Sequence, residues 1–530
     1  MILDFAEATN KFLVKVPRDG DLIKELIEAH GLNFWTGSPR DQGVLWTDDV
    51  YAALTYAEHA TPAAKKRIGR YLPELEASRS LGMDRRCAVP TGVDLYPYQK
   101  AGVDYVMRRT NALIGDEPGL GKTPMMIVTA NEQRAKRVLV VCPANIRLQW
   151  AKQVRVWSTM EGRYIVYPIL KSADGVHPRA QWTIISYDLL RSGSIQAALK
   201  QQRFDLVVLD EAHYLKTASS HRTTAVFGRD GLAHECGSIV ALTGTPLPNR
   251  PRECFTLANG LCPDAIDFMD EAAFQARYNP VELRQNRNGS RYQIEKKGRL
   301  YELQNRLRAN FMVRRKKRDV LDQLPEIRYD IIHVEENADV KKALEAEKLL
   351  DIDPEHLQGA TIDILGHIST VRKMMGVAKA PLVADYVDYV MESGEDKLVV
   401  FGWHIEVLDI LQHRLAKWGV LRVDGSTSAL RRQLAVDEFI SGRPKIFLGN
   451  LQSVGIGVDG LQKVCNRGVF AECSWTPSDN DQGVGRLERI GQKSGILIEF
   501  LVAPGSLDER VLGSALRKLR DIDTTLDASL

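Results

Sequence analysis

The chain has 530 residues, 44% of them apolar and 26% charged, with a formal net charge of only +3. That length implies two to four domains with sizeable cores, and the near-neutral balance means that a polyanionic partner must be met by local patches. Seven scattered cysteines with no C-x-x-C pair argue against a disulfide framework and a zinc module and fit a reducing cytoplasm, and no apolar run reaches the roughly 18 residues of a membrane span.

In chain order, residues 1–90 read as a small mixed N-terminal domain. It holds a strand near Phe12–Val16, an amphipathic helix over Asp19–His30 and a mildly basic helical stretch from Pro62 to Arg79. Met1–Lys15 carries acids early and lacks the apolar core of a signal peptide. Phe34, Trp35 and Trp46 are expected to pack in a core, with stacking on exposed bases as the alternative.

From about Leu95 short apolar runs alternate with helical patterns. Ala112–Ile114, Val138–Cys142, Thr183–Ser186, Leu206–Leu209 and Ile239–Leu242 are continuous apolar runs, as buried parallel strands are. The pattern pauses from about 263 to 325 and resumes with Leu398–Phe401, Leu421–Val423, Ile446–Leu448, Val469–Ala471 and Ile496–Val502. The expected class is therefore α/β. A first parallel-sheet lobe spans 91–325 and carries a basic helical insertion at about 265–320. A second spans 326–530, with a hinge near Pro325. Between Arg284 and Arg318 the insertion places thirteen Lys/Arg against two acids, Glu295 and Glu302.

Three motifs carry chemistry. Gly115-Asp-Glu-Pro-Gly-Leu-Gly-Lys-Thr123 lies between an apolar run and a helical pattern. Its glycines let backbone N–H groups converge on an anion, and the following helix N-terminus adds its dipole. Lys122 would reach the β- and γ-phosphates of ATP and Thr123 would coordinate Mg²⁺, with Asp116, Gly119 and Gly121 shaping the loop. Asp116 stands where the strict pattern has its first glycine. Asp210-Glu-Ala-His213 directly follows the apolar run Leu206–Leu209, so its acids meet the ligand crevice at the end of a parallel strand. Asp210 would hold Mg²⁺ and Glu211 would orient and deprotonate the attacking water. Gln482-Gly-Val-Gly-Arg-Leu-Glu-Arg489 puts Arg486 and Arg489 three apart on one helix face, suited to a γ-phosphate whose charge grows in the transition state.

In this order and spacing the motifs resemble helicase superfamily two, and finer matches resemble its Snf-type ATPases. Leu95-Tyr-Pro-Tyr-Gln99 is similar to the Q motif, whose glutamine reads adenine. Val140–Asn145 with Gln149-Trp150 is similar to motif Ia, Ile185–Asp188 to motif Ib and Leu242–Pro246 to motif III. Phe311-Met-Val-Arg-Arg-Lys-Lys-Arg-Asp-Val320, followed by Leu324-Pro325, resembles the arginine-rich element of the Snf-type branch. Val423–Thr427 and Arg489–Gln492 agree with it, and within the branch the compact layout is nearest to HARP-type annealing helicases. In motif V, Gly455-Ile-Gly457-Val-Asp459-Gly460 departs from the family's Gly-Leu-Asn or Gly-Leu-Thr ending, and in motif VI Glu488 stands where a His is common.

The resemblance implies two RecA-like lobes with ATP between them, Lys122, Thr123 and Gly457 among its contacts, Lys122, Asp210, Glu211, Gln482, Arg486 and Arg489 in catalysis, and Mg²⁺ as the ion. It implies DNA, duplex or forked, held by its phosphates without sequence preference, through Asn145, Ser186, Lys216, Arg314, Arg315, Ser426, Thr427 and Ser453. The expected function is an ATP-driven DNA translocase. The alternatives are a strand-separating helicase on DNA or RNA, a nucleotide-gated clamp, and a motor subunit of a larger assembly. The compact layout suggests a bacterial or bacteriophage cytoplasm, or a nucleus if the source is eukaryotic.

Overall fold

The computed structural model describes residues 1–17, 19–34, 43–160, 165–244, 251–285, 291–295, 298–320, 326–348, 362–454, 458–474 and 476–513. Pro325, Trp35 and Gly457 lie outside the described residues. The chain divides into two compact units. Residues 1–117 and 121–320 form one, and the residues from 321 onward form the other together with Pro118–Leu120.

The first unit begins with four antiparallel strands, β1 (Ile2–Ala6), β2 (Lys11–Lys15), β3 (Asn33–Phe34) and β4 (Val44–Thr47), in the order β1-β2-β4-β3. Alternate residues Leu3, Phe5, Phe12, Val14 and Leu45 turn inward, against Leu26, Leu54, Ile68 and Leu75 of the covering helices. The helix Gly20–His30 starts where Asp19 accepts the N–H groups of Asp21 and Leu22, and stops at Gly31, whose φ of 67° a residue with a Cβ resists. The basic stretch is two helices, Pro62–Ile68 and Leu72–Arg79, and not one. The aromatics correct their expectation too. Phe34 is exposed, and Trp46 lies on the outer side of its strand under the Lys11 ammonium, 3.2 Å from the ring centre.

Seven parallel strands follow: β5 (Asn111–Ile114), β6 (Val138–Cys142), β7 (Val166–Pro168), β8 (Trp182–Ser186), β9 (Leu206–Asp210), β10 (Ser238–Leu242) and, after the insertion, β13 (Met312–Val313). Their order is β13-β5-β10-β9-β6-β8-β7. β6, β8 and β9 are buried from end to end, as strands covered on both faces must be. The insertion is not purely helical, since it contains the hairpin β11 (Val281–Gln285) and β12 (Arg291–Glu295).

The N-terminal sheet is tied to this α/β body by the helix Leu300–Asn310. Asn305 donates to Tyr51 O at 2.9 Å and Thr55 Oγ1 at 3.1 Å, and Arg306 and Arg277 both ion-pair with Asp49. The same two arginines and the Tyr278 hydroxyl converge on the fully buried Glu302. A buried carboxylate in such company is stabilised in its charged form.

The second unit holds six parallel strands, β14 (Ile327–His333), β15 (Leu398–Gly402), β16 (Val420–Val423), β17 (Ile446–Asn450), β18 (Arg467–Phe470) and β19 (Ile496–Val502), in the order β14-β19-β18-β15-β17-β16. Met375, Val383, Val387 and Val390 of the long helix Ile362–Glu392 pack on one face of this sheet. The expected class of two parallel α/β sheets with an N-terminal mixed part is what the chain forms.

Candidate functional site

The register of three neighbouring strands builds the site. Leu242 of β10 lies level with Ile114 of β5 and with Asp210 of β9. The glycine-rich loop, the Asp210-Glu211 pair and Thr243 therefore leave the sheet at one rim, where ligands of open parallel sheets bind. At a strand spacing of about 4.8 Å, the loop and the acids are about 10 Å apart, the reach of a triphosphate with its ion.

Within the loop Gly119 and Gly121 have φ of 93° and 74°. Gly121 caps the helix Lys122–Glu132, and a Cβ there would collide with Gln99 Nε2. Gln99 is buried, and its Oε1 accepts the N–H of Tyr96 at 2.9 Å. Its amide thus shapes the loop. Lys122 turns back into the loop, donating to Asp116 O at 2.7 Å and Glu117 O at 3.2 Å. Burial pushes its pKa down, against the pull of Glu211, Asp116 and Asp210.

Asp116 does not face an anion. It is fully buried and forms a bidentate pair with Arg315, Nε to Oδ1 at 3.0 Å and Nη2 to Oδ2 at 2.6 Å, and also accepts the Arg315 N–H at 2.9 Å. Arg315 further donates to Tyr98 O, and Arg314 donates to Gly115 O at 2.6 Å and Gly244 O at 3.2 Å. The expectation that Arg314 and Arg315 line a DNA channel is thereby corrected. Both are buried in the floor of the phosphate loop because β13 pairs with β5 and delivers them there. Arg306, Arg308, Lys316 and Lys317 are buried as well, so much of the basic run is not a solvent-facing patch.

Asp210 accepts Trp150 Nε1 at 2.6 Å and the Glu211 N–H at 2.9 Å. Burial, then the Glu211 charge, raise its pKa to about 7. A pair of acids so short of positive charge suits a cation, and Asp210 with Thr123 and substrate oxygens is the kind of donor set Mg²⁺ takes, keeping its waters. Glu211 holds a left-handed φ of 51°, a strained conformation for a side chain with a Cβ. Its Oε2 lies 3.3 Å from His213 Nδ1, which lies 3.1 Å from Thr243 Oγ1. Thr243-Gly244 thus touches the acids through His213 and the loop floor through Arg314. Trp150 and His213 belong to recognised motifs, but sequence reasoning assigned them no role, because nothing in spacing shows where their nitrogens point.

The expected nucleic-acid contacts separate into two kinds. Ser426 is exposed, Lys216 is half-exposed beside Glu253 at 3.5 Å, and Asn145 is half-buried in a turn. Ser186 and Ser453 are buried, Ser186 accepting Leu189 N at 3.3 Å and Ser453 donating to Asn450 Oδ1 at 3.4 Å. Their hydroxyls brace turns. Thr427 Oγ1 accepts the Asp424 N–H at 3.1 Å. A residue missed in the sequence organises this region of the second unit. Arg432 donates to Thr427 O at 2.9 Å, Ser453 O at 3.2 Å and Asp424 O at 3.3 Å.

Gln482 is buried in the helix Pro477–Val484, which ends before the two arginines, so they do not share a helix face. They still converge on one segment. Arg486 donates to Val458 O at 2.7 Å, and Arg489 pairs with Asp459 at 3.3 Å. Beyond Asp459 the chain reads Gly460-Leu461-Gln462. Gln462 therefore stands at the third place of the family's Gly-Leu-Asn run, one residue later than the departure read from sequence, and its Oε1 accepts the Gly460 N–H at 3.0 Å.

Residues 98–376 match the SNF2-related domain and residues 379–491 the helicase conserved C-terminal domain. The chain is 30% identical over 446 residues to the DNA annealing helicase and endonuclease ZRANB3 of Bos taurus, covering 82% of this chain and 40% of the relative. It is 30% identical over 428 residues to the SWI/SNF-related matrix-associated actin-dependent regulator of chromatin subfamily A-like protein 1 of Xenopus tropicalis, covering 79% and 43%. To the homologue of that protein in Caenorhabditis elegans it is 28% identical, covering 80% and 61%. The chain thus spans about 40 to 60% of the length of these relatives. With its first domain match covering more than half of its residues, the chain belongs to the SNF2-related family.

Proposed function

We propose that this chain is an ATP-hydrolysing motor that moves along duplex or forked DNA, with annealing of separated strands as its output. The observation that supports the reading best is the common rim. The glycine-rich loop, its buried arginine floor, the Asp210-Glu211 pair and Thr243 are joined there by named hydrogen bonds.

Each residue has work to do in the reaction. The backbone N–H groups of Gly119, Gly121 and Lys122 hold phosphate oxygens, and Lys122 exchanges its two carbonyl partners for the β- and γ-phosphates. Asp210 and Thr123 would hold Mg²⁺, which when bound neutralises phosphate charge. Glu211 orients the attacking water and takes its proton. Arg486 and Arg489 supply positive charge to the transferring phosphoryl group, and Gln482 positions them. Thr243 and His213 carry the state of the acids to the loop floor through Gly244 and Arg314. On DNA the exposed Ser426, Lys216 and Asn145 meet phosphates and carry no sequence information.

The test is steady-state ATP hydrolysis with no nucleic acid, single-stranded DNA, duplex DNA, forked DNA and RNA, with Glu211→Gln as the blank. Strong stimulation by duplex or fork, absent in the variant, is the expected result. Stimulation by single strands or RNA alone would replace this reading with a strand-separating helicase.

A further inference from the structure

The first unit carries a second cationic site that none of the motifs includes. A cavity of about 430 Å³ is lined by Arg191, Gln196, His221, Thr224, Arg229 and Asp230. Arg191, His221 and Arg229 are exposed. Among the described residues the side chains of His221 and Arg229 have no hydrogen-bond or ion-pair partner, and Arg191 reaches only Asp188, at 3.9 Å. The nearby acids do not neutralise them. Asp188 is taken by Arg222, at 3.1 and 2.8 Å, and Lys200 Nζ donates to the carbonyl of Asp230. We propose that this cavity is a seat for a phosphate of the nucleic-acid backbone, a contact separate from the nucleotide loop.

Three features point to that ligand. The seat is built and not a chance meeting of long side chains. Gln196 donates to Ala225 O at 2.9 Å, which pins the helix Gly193–Lys200 to the helix His221–Phe227 and holds Arg191 and His221 at a set distance. It stands on the working rim. Arg191 follows the C-terminal end of β8 and His221 that of β9, and β5, with its phosphate loop, lies four strands from β8 in the order β5-β10-β9-β6-β8. At about 4.8 Å per strand that is about 20 Å, so one ATP cannot fill both sites. Its lining has no aromatic ring on which a base would stack, so recognition rests on charge and is indifferent to sequence. The site also supplies cations where the buried Ser186 and Arg314 do not.

The proposal rests on the DNA-motor reading, and its test keeps the two apart. The full chain with Arg191→Ala and Arg229→Ala together is compared with the parent, reading the duplex concentration for half-maximal ATPase stimulation from about 50 to 200 mM salt. The expected variant hydrolyses ATP normally without DNA, needs about tenfold more duplex, and shows a salt slope shallower by about two, one per lost phosphate contact. A variant with lysine at both positions keeps the parent's slope, which a purely structural role would not require. A stimulated parent and alanine variant with equal slopes would overturn the seat. An equal slope with loss of inorganic pyrophosphate binding would also overturn it, as the ligand would then be a small anion. A parent that no nucleic acid stimulates would sink the motor reading instead.

Discussion

Asp116 and Arg315 show how a charge pair becomes part of a catalytic loop without touching substrate. Both side chains are wholly out of solvent, so each depends on the other. Removing one leaves an uncompensated buried charge, at a cost of about 3–5 kcal/mol. Arg315→Ala is therefore expected to lower the unfolding midpoint of the first unit strongly and to abolish ATP binding, read by denaturant unfolding and nucleotide titration. Trp150 acts on the metal side. Its indole N–H is one of two donors holding Asp210, so Trp150→Phe should raise the Mg²⁺ concentration for half-maximal hydrolysis about tenfold while leaving the fold intact. An unchanged Mg²⁺ titration would remove Trp150 from the site.

At the scale of elements, two side chains hold segments in place. Arg432 ties the 424–427 turn to the Ser453 turn through three carbonyls. Arg432→Met should leave ATPase without DNA near the parent level and raise the DNA needed for stimulation about tenfold, since only the proposed gripping turns lose their anchor. His30 holds the first helix. It stacks on Tyr301 and shares a 2.8 Å hydrogen bond with the Tyr56 hydroxyl, and burial pushes its pKa down to about 4. The unfolded chain takes up this proton near pH 6.5, before the folded one does. Stability is thus complete above that pH and declines as pH falls toward 4, by about 3 kcal/mol at most. Amide exchange in Gly20–His30 should quicken over that window, and His30→Phe should remove the dependence.

Over the whole molecule, a motor that holds DNA by phosphates should lose duplex stimulation steeply as salt rises and show the same activity on duplexes of unrelated sequence. Strong dependence on duplex sequence at fixed length and salt would contradict backbone recognition. The N-terminal sheet also belongs to the first unit's structure. Tyr51, Thr55 and Asp49 are locked to the helix Leu300–Asn310, which runs directly into β13 and the arginine floor. Cutting the chain near residue 90 should therefore expose buried Arg306 and Glu302 and destabilise the first unit, as limited proteolysis would show.

What the sequence alone determined follows from local periodicity and from motifs whose chemistry is local. Buried parallel strands are continuous apolar runs, so β6, β9, β15 and β19 were legible. The phosphate loop and the acids after β9 were legible because short spacing sets their function. The edge strands β7, β13 and β14 were not, since two to seven residues with mixed exposure carry little pattern. The tertiary structure alone decided where the basic run goes. Thirteen cations read as a polyanion surface by charge counting, yet the pairing of β13 with β5 buries Arg314 and Arg315 against Asp116 and the loop carbonyls. Charge is a property of residues, but its availability depends on which acids and carbonyls long-range packing brings within reach.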